Sequence, residues 1–329
     1  MTDHLDLPAG IHRIEAGPYH ADILRAEPTL SSTLARKLLG RSPLHAWTAH
    51  PRLNPAAEGE ETDALRLGRA AHCAILGVGE PWAVCPPDLL AKNGSMSTAA
   101  AKAWKSEQEA AGMTVLSAAE EKAVLALVDP VHRAIRETRG VPDLRPDRAE
   151  MTALAEVDGV WCRAMLDFLP EDTTEPVVDL KTIDDASPEN VIRAVERYSL
   201  DAQAAFYLDV LEAVEGARRP FLFVFVEKAP PHEVGIIRLF DARGREDEAS
   251  IEADWMLDAR SKVAEARRIW GECLRADRWP GYPRAIQSVG QRPHYSRAWA
   301  DREIGGPVFR DRKPSAAALR AAHDFQAPI

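Results

Sequence analysis

Trp161-Cys-Arg-Ala-Met-Leu-Asp167 and Pro176-Val-Val-Asp179-Leu-Lys181-Thr182 are two largely apolar runs joined by a polar connection, Pro170 to Glu175. Both read as strands. Side chains alternate along a strand, so Asp179 and Lys181 share one face and Val178 and Leu180 the other. A hairpin symmetric about Thr173 sets Asp167 directly opposite Asp179. Opposed side chains in such a ladder have Cβ atoms about 4.5–5.5 Å apart. Two carboxylates so placed repel each other. A divalent cation turns that repulsion into binding, because hard ions take oxygen ligands and Mg²⁺ uses one or two carboxylates with waters and substrate phosphate. A one-residue slip in register removes the arrangement.

Working outward, residues 150–157 read as a strand before this pair. Helices follow it at about 188–197 and 201–215. Phe221 to Glu227 is apolar on both faces, as a central strand is. Glu233 to Phe240 is its hairpin partner across Ala229-Pro-Pro-His232, and a long helix runs over about 244–276. Upstream, Ser31 or Ser32 caps a helix to about Leu39, and Pro43 opens another. A helix over Asp63 to Leu76 presents the stripe Leu65, Gly68, His72 and Ile75. Residues 81–100 read as irregular, with helices near 97–111 and 117–138. This order predicts an α/β fold: a mixed central sheet flanked by helices, with a helical N-terminal part. The expected divisions are a leader over 1–30 with a short strand near Gly10 to Ala16, a main domain over 31–285, and a tail over 286–329 carrying one short helix at 315–323.

Three further features carry chemistry. His72 lies on the inward stripe of its helix beside small Gly68 and Ala71, which let a helix approach another backbone closely. It is either a core histidine or an imidazole ligand. Gln203 and Tyr207 are four apart on one helix face. They form either the polar end of an amphipathic helix or an edge that meets a nucleic-acid strand. Arg163 shares the strand face of Asp167 and is either a phosphate contact or an exposed structural arginine.

The composition is that of a soluble globular protein, with 46% hydrophobic and 28% charged residues in 329. No apolar run reaches the roughly 18 residues of a membrane span. Met1 to Gly10 has neither a basic stretch nor an apolar core, so a secretory signal is not expected and the expected location is the cytoplasm. Cys73, Cys85, Cys162 and Cys273 form no CxxC pair, which argues against a zinc ribbon, an iron–sulfur cluster or a disulfide framework. The net charge of −10 argues against coating nucleic acid by bulk charge but leaves room for a local basic groove. No GxSxG nucleophile motif is present.

Taken together, Gly68-x-x-x-His72, Asp167, Asp179-x-Lys181 and Gln203-x-x-x-Tyr207 resemble the PD-(D/E)XK nuclease superfamily, and most closely the RecE / exonuclease VIII C-terminal type of phage recombination modules. Arg41-Ser-Pro-Leu-His45, Leu67-Gly-Arg-Ala-Ala-His72, Asp201-Ala-Gln-Ala-Ala-Phe-Tyr207 and Val226-Glu-Lys-Ala-Pro-Pro231 are similar to family segments, over about residues 10–285. The resemblance implies a restriction-endonuclease-like fold and a cytoplasmic exonuclease that digests linear double-stranded DNA 5′ to 3′, leaving 3′ single-stranded tails for an annealing protein. It implies Mg²⁺, or Mn²⁺, held by Asp167 and Asp179 with His72 as an added ligand. Lys181 would orient or deprotonate the attacking water, and Gln203 and Tyr207 would hold the strand or the lysine. Glu150 matches an acidic family position, as a metal ligand or a partner of one. A ring-like homo-oligomer around DNA is also implied. Arg36, Lys37 and Arg41, and the group Arg260, Lys262, Arg267 and Arg268, are candidates for its basic rim; the second group also reads as a solvated helix face. The alternatives are another nuclease of this fold, acting on single strands or as an endonuclease, and an inactive DNA-binding module.

Overall fold

The computed structural model describes residues 4–57, 62–239 and 255–291. The chain divides into one unit of residues 1–281 and another of residues 282–329, and the architecture below is that of the first. It begins with β1 (Gly10–Arg13), α1 (Ala16–Ala21), β2 (Leu30–Ser31), α2 (Ser32–Gly40), α3 (Pro43–Ala49) and α4 (Asp63–Leu76). Next come β3 (Trp82–Val84), α5 (Ala99–Ala110), β4 (Thr114–Leu116), α6 (Ala118–Leu125) and α7 (Val128–Glu137). The second half holds β5 (Ala149–Val157), β6 (Val160–Phe168), β7 (Val177–Ile183), α8 (Pro188–Tyr198), α9 (Leu200–Glu215), β8 (Phe221–Glu227), β9 (Val234–Ile237) and α10 (Trp255–Ala276).

The main sheet runs β1-β5-β6-β7-β8-β9, with β2 added alongside β6. It is mixed: β7 and β8 are parallel, as are β2 and β6, and the other pairs are antiparallel. The parallel β7–β8 pair needs a crossover, which α8 and α9 supply. β3 and β4 form a separate two-stranded parallel sheet.

Each face of the sheet carries its own core, because alternation sends every other apolar side chain each way. On one face Phe221, Phe223 and Phe225 meet Phe206 and Leu211 of α9, Leu34 and Leu38 of α2, and Val263 and Trp270 of α10. On the other, Val178, Leu180, Val224 and Val226 meet Ala71, Ile75 and Leu76 of α4 and Val131 and Ile135 of α7. The strand that carries Asp179 and Lys181 is thus covered on both sides. This is the mixed sheet flanked by helices that the pattern predicts. Among the described residues, no helix is long and apolar enough to cross a membrane.

Several local expectations are corrected. The stretch 117–138 is two helices, not one. Pro130 lacks an N–H and its ring collides with the carbonyl four residues back, so a continuous helix through Ala126 is not available. The buried stripe of α4 is Arg66, Ala70, Ala71, Ile75 and Leu76, whereas Leu65 is 55% exposed. Nothing lies within 4 Å of a Cβ placed on Gly68, so it makes no close backbone approach. Residues 82–84 form β3 inside a stretch read as irregular. β1, within the expected leader, pairs with β5 at the edge of the main sheet. Positions 244–254 of the expected long helix, Phe240, and the short helix at 315–323 lie outside the described residues.

Candidate active site

β6 and β7 pair through Phe168 and Val178, which is the register of a turn centred on Thr173. One step further along, where Asp167 and Asp179 stand, the two strands part. The backbone N–H of Leu180 is met there by the carboxylate of Asp167 (Oδ2, 2.7 Å) instead of by a β6 carbonyl. The gap that opens is filled from the N-terminal segment. β2 pairs with Cys162 and Arg163, and the Tyr19 hydroxyl accepts a bond from the Met165 N–H (3.1 Å). The result is a fork in the sheet with acidic side chains at its branch point.

The same row continues into β5. Ala149 pairs with Phe168 and Met151 with Leu166, so register places Glu150 opposite Asp167. Here both strands break their alternation. Ala149 and Phe168 pack into the core on the α4 face, but Met151 and Leu166, two residues away, pack on the α9 face. Glu150 makes this reversal with a left-handed backbone, φ 53°. Such a conformation is uncommon for a non-glycine residue and is held by its surroundings.

α4 supplies the fourth group. Its N-terminus is capped by Thr62, whose hydroxyl accepts the Leu65 N–H, and its Ala70, Ala71 and Ile75 side chains fix it against the sheet. His72 sits beside that buried stripe, with Nδ1 3.6 Å from Asp167 Oδ2. One ligand atom each from His72, Glu150 and Asp167 lie within 4.8 Å of one another. Asp179 is 1% exposed and adjoins this group. It pairs with the Lys181 ammonium and accepts a bond from Gln203 Nε2 (2.8 Å). Lys181 Nζ also donates to the Leu180 carbonyl (3.2 Å).

Burial and mutual repulsion leave their mark on these carboxyls. Burial pushes Glu150 up to about 8, and the charge of Asp167 adds to it. Asp179 is raised to about 6: its burial, with repulsion from Asp167, outweighs the pull of Lys181. Such a set stores unfavourable charge that a bound cation relieves. The donor set of carboxylate oxygens and one imidazole fits a Mg²⁺- or Mn²⁺-class ion.

The structure brings together His72, Glu150, Asp167, Asp179, Lys181 and Gln203. Gln203 donates to the Asp179 carboxylate, which is also paired with Lys181. Tyr207 is buried one turn along α9, its hydroxyl bonded to Ser32, and burial raises its pKa well above the usual value. Arg163 is the clear correction. It is 4% exposed and donates from NH1 to Asp22 Oδ1 (2.7 Å), the Thr29 carbonyl (2.7 Å) and Thr29 Oγ1 (2.6 Å). His50 Nε2 lies 3.0 Å from the same aspartate. Arg163 therefore ties the N-terminal segment to β6 and faces no phosphate, and it is not an exposed arginine either.

The α10 basic group is likewise committed. Lys262 pairs with Asp201, Arg267 with Asp158 and Asp209, Arg260 with Glu212, and Arg268 with Glu265 and Glu272. Lys262 and Arg268 lie on the solvated face of α10, whereas Arg267 is buried and Arg260 largely so, which that reading did not foresee. Arg36 on α2 is the basic residue missed as a neighbour of the site: burial lowers its pKa, and the negative charges of Asp179 and Asp201 work against that. Its place in the sequence, four residues after Ser32, carries no signal of that.

Residues 32–291 match a family model described as "PDDEXK-like domain of unknown function (DUF3799)". The chain belongs to this family. Its fold is that of the PD-(D/E)XK nuclease superfamily. A crystal structure from Eubacterium rectale, described as a "putative exonuclease", superposes with a TM-score of 0.51 at 12% sequence identity, over 90% of this chain and 99% of that one. At that identity the likeness is one of fold. No curated protein matches the chain.

Proposed function

We propose that this PDDEXK-like domain is a metal-dependent deoxyribonuclease that digests linear double-stranded DNA from an end, 5′ to 3′, leaving 3′ single-stranded tails for strand annealing. The observation that carries the nuclease reading is the convergence at the fork of three potential metal ligands, His72, Glu150 and Asp167, beside the Asp179–Lys181 pair. The end-directed and 5′-to-3′ parts rest on the resemblance of the motifs.

In this reading His72, Glu150, Asp167 and Asp179 would hold Mg²⁺ or Mn²⁺. Bound there, such an ion supplies Lewis acidity, acidifying water and neutralising charge on a phosphate. The chain's own groups do the rest. Lys181, on the same strand face as Asp179, keeps a positive charge where the attacked phosphate gains negative charge, and its Nζ can orient the incoming water. Gln203 fixes one oxygen of the Asp179 carboxylate, so the other keeps its position beside Lys181 when substrate enters. Asp167 is fixed in the same way by the Leu180 N–H.

The test is digestion of linear and circular duplex DNA, labelled at 5′ or 3′ ends, with Mg²⁺ and with EDTA. The proposal expects Mg²⁺-dependent loss of the linear substrate, release of the 5′ label first, and resistance of the circle. Cleavage of the circle would make the enzyme an endonuclease. No digestion in any metal would make the domain a DNA-binding module.

A further inference from the structure

α8 ends and α9 begins at a single residue, Ser199, whose left-handed backbone (φ 49°, ψ 48°) turns the chain between them. The residue before this corner, Tyr198, is 56% exposed. Its carbonyl, at a helix C-terminus where intrahelical donors run out, accepts a bond from Arg36 NH1 (2.9 Å). Arg36 in turn lies within the electrostatic reach of Asp179. One arginine therefore anchors the corner beside the fork. The same corner opens the helix that carries Gln203, five residues further on. The Arg197 guanidinium carbon lies 5.5 Å from the Tyr198 ring centroid.

We infer that Tyr198 is a positioning residue that stacks on an unpaired base of the strand whose phosphate enters the Asp167–Asp179–Lys181 fork. The inference rests on the nuclease reading above and extends it to how the strand is held. An exposed aromatic ring with a guanidinium beside it offers what every nucleobase can use whatever its identity: a π-face and a cation. A base inside a duplex has both faces covered, so the site takes a nucleotide that is not paired. Tyr198 adds no chemistry to the reacting atoms. It sets where along the strand the phosphate falls.

The experiment compares wild type, Tyr198→Ala and Tyr198→Trp in Ca²⁺, by fluorescence anisotropy with a labelled oligothymidylate and with an abasic oligonucleotide of equal length. The exposed position lets all three fold, which equal melting temperatures verify. Loss of one stacked base costs about 1–3 kcal/mol, so Tyr198→Ala should weaken oligothymidylate binding about 5-fold to 150-fold. Tyr198→Trp should retain it, and on the abasic strand all three should bind alike. Equal binding of oligothymidylate by wild type and Tyr198→Ala overturns the inference. So does an equal loss on both strands, which would mark a structural effect, and so does no binding by the wild type. Digestion of duplex by the wild type in Mg²⁺ is read separately, so failure of the nuclease reading is distinguishable from failure of the stacking contact.

Discussion

Replacing Arg163 by methionine separates a fold-holding arginine from a DNA-binding one. The guanidinium is buried and donates to Asp22 and twice to Thr29, while Asp22 is 0% exposed. Methionine fills similar volume but leaves a buried carboxylate without its main cationic partner. Breaking a buried pair from one side costs about 3–5 kcal/mol. The contacts with His50 and Arg52 and the bonds from Thr29 remain, so the lower part of that range is expected. An unfolding entropy of roughly 2.1 cal/mol/K per residue over the unit of residues 1–281 gives about 1.7 °C of melting temperature per kcal/mol, so the drop should be about 5–7 °C. The assay is thermal unfolding of wild type, Arg163→Met, Asp22→Asn and the double variant, which gives the coupling between the two residues directly. DNA affinity of the folded Arg163→Met protein, measured well below its transition, should match wild type. An unchanged melting temperature together with weakened DNA binding would refute the reasoning and restore Arg163 as a phosphate contact.

The other predictions concern the same network and the fork. Burial alone would raise the Asp22 pKa, but bonds from His50, Arg163 and Thr29 outweigh it and hold the group below 3.8. Its contribution to stability is therefore complete above that value and is lost as pH falls below it toward the folded pKa; the stability gap between wild type and Asp22→Asn, measured by denaturant titration, should close on that acid limb and stay constant from about pH 5 to 8. Gln203→Leu removes the 2.8 Å bond to Asp179, and loss of such an outer partner should weaken Mn²⁺ binding about 10- to 100-fold, read by calorimetric titration. Lys181→Met should cut Mg²⁺-dependent hydrolysis about 10²–10³-fold with Mn²⁺ affinity changed only a few-fold; equal loss of both would make the lysine a prop for Asp179 and not a participant in the reaction.

Much of the sheet was legible in the sequence. Asp179 and Lys181 fall on one face because alternation is fixed by the backbone, and the turn centred on Thr173 set the register that Phe168 and Val178 keep. What lay beyond the sequence was the fork. It arises because β2 and Tyr19, more than a hundred residues upstream, occupy the side of β6 that β7 leaves. Glu150 joins the site through a left-handed turn of its own backbone, which no periodicity announces. Arg163 has the strand parity of Asp167, but at Asp167 alternation breaks, and parity no longer tells which way a side chain faces. β3 and β4 are three residues each, too short for a pattern, and exist because they pair with each other. The stripe of α4 was placed one position out of phase, since Ala70 and Ala71, small and buried, outweigh Leu65, large and exposed.

Mn²⁺ binding followed by electron paramagnetic resonance, in wild type and in Asp167→Asn, tests the central claim most directly. Asp167 lies within ligand-sharing distance of Glu150 and His72 and meets β7 through the Leu180 N–H. The account predicts saturable binding of Mn²⁺ by the wild type, displaced by Mg²⁺ and lost in Asp167→Asn. Undiminished binding by the variant, or none by the wild type, would contradict it.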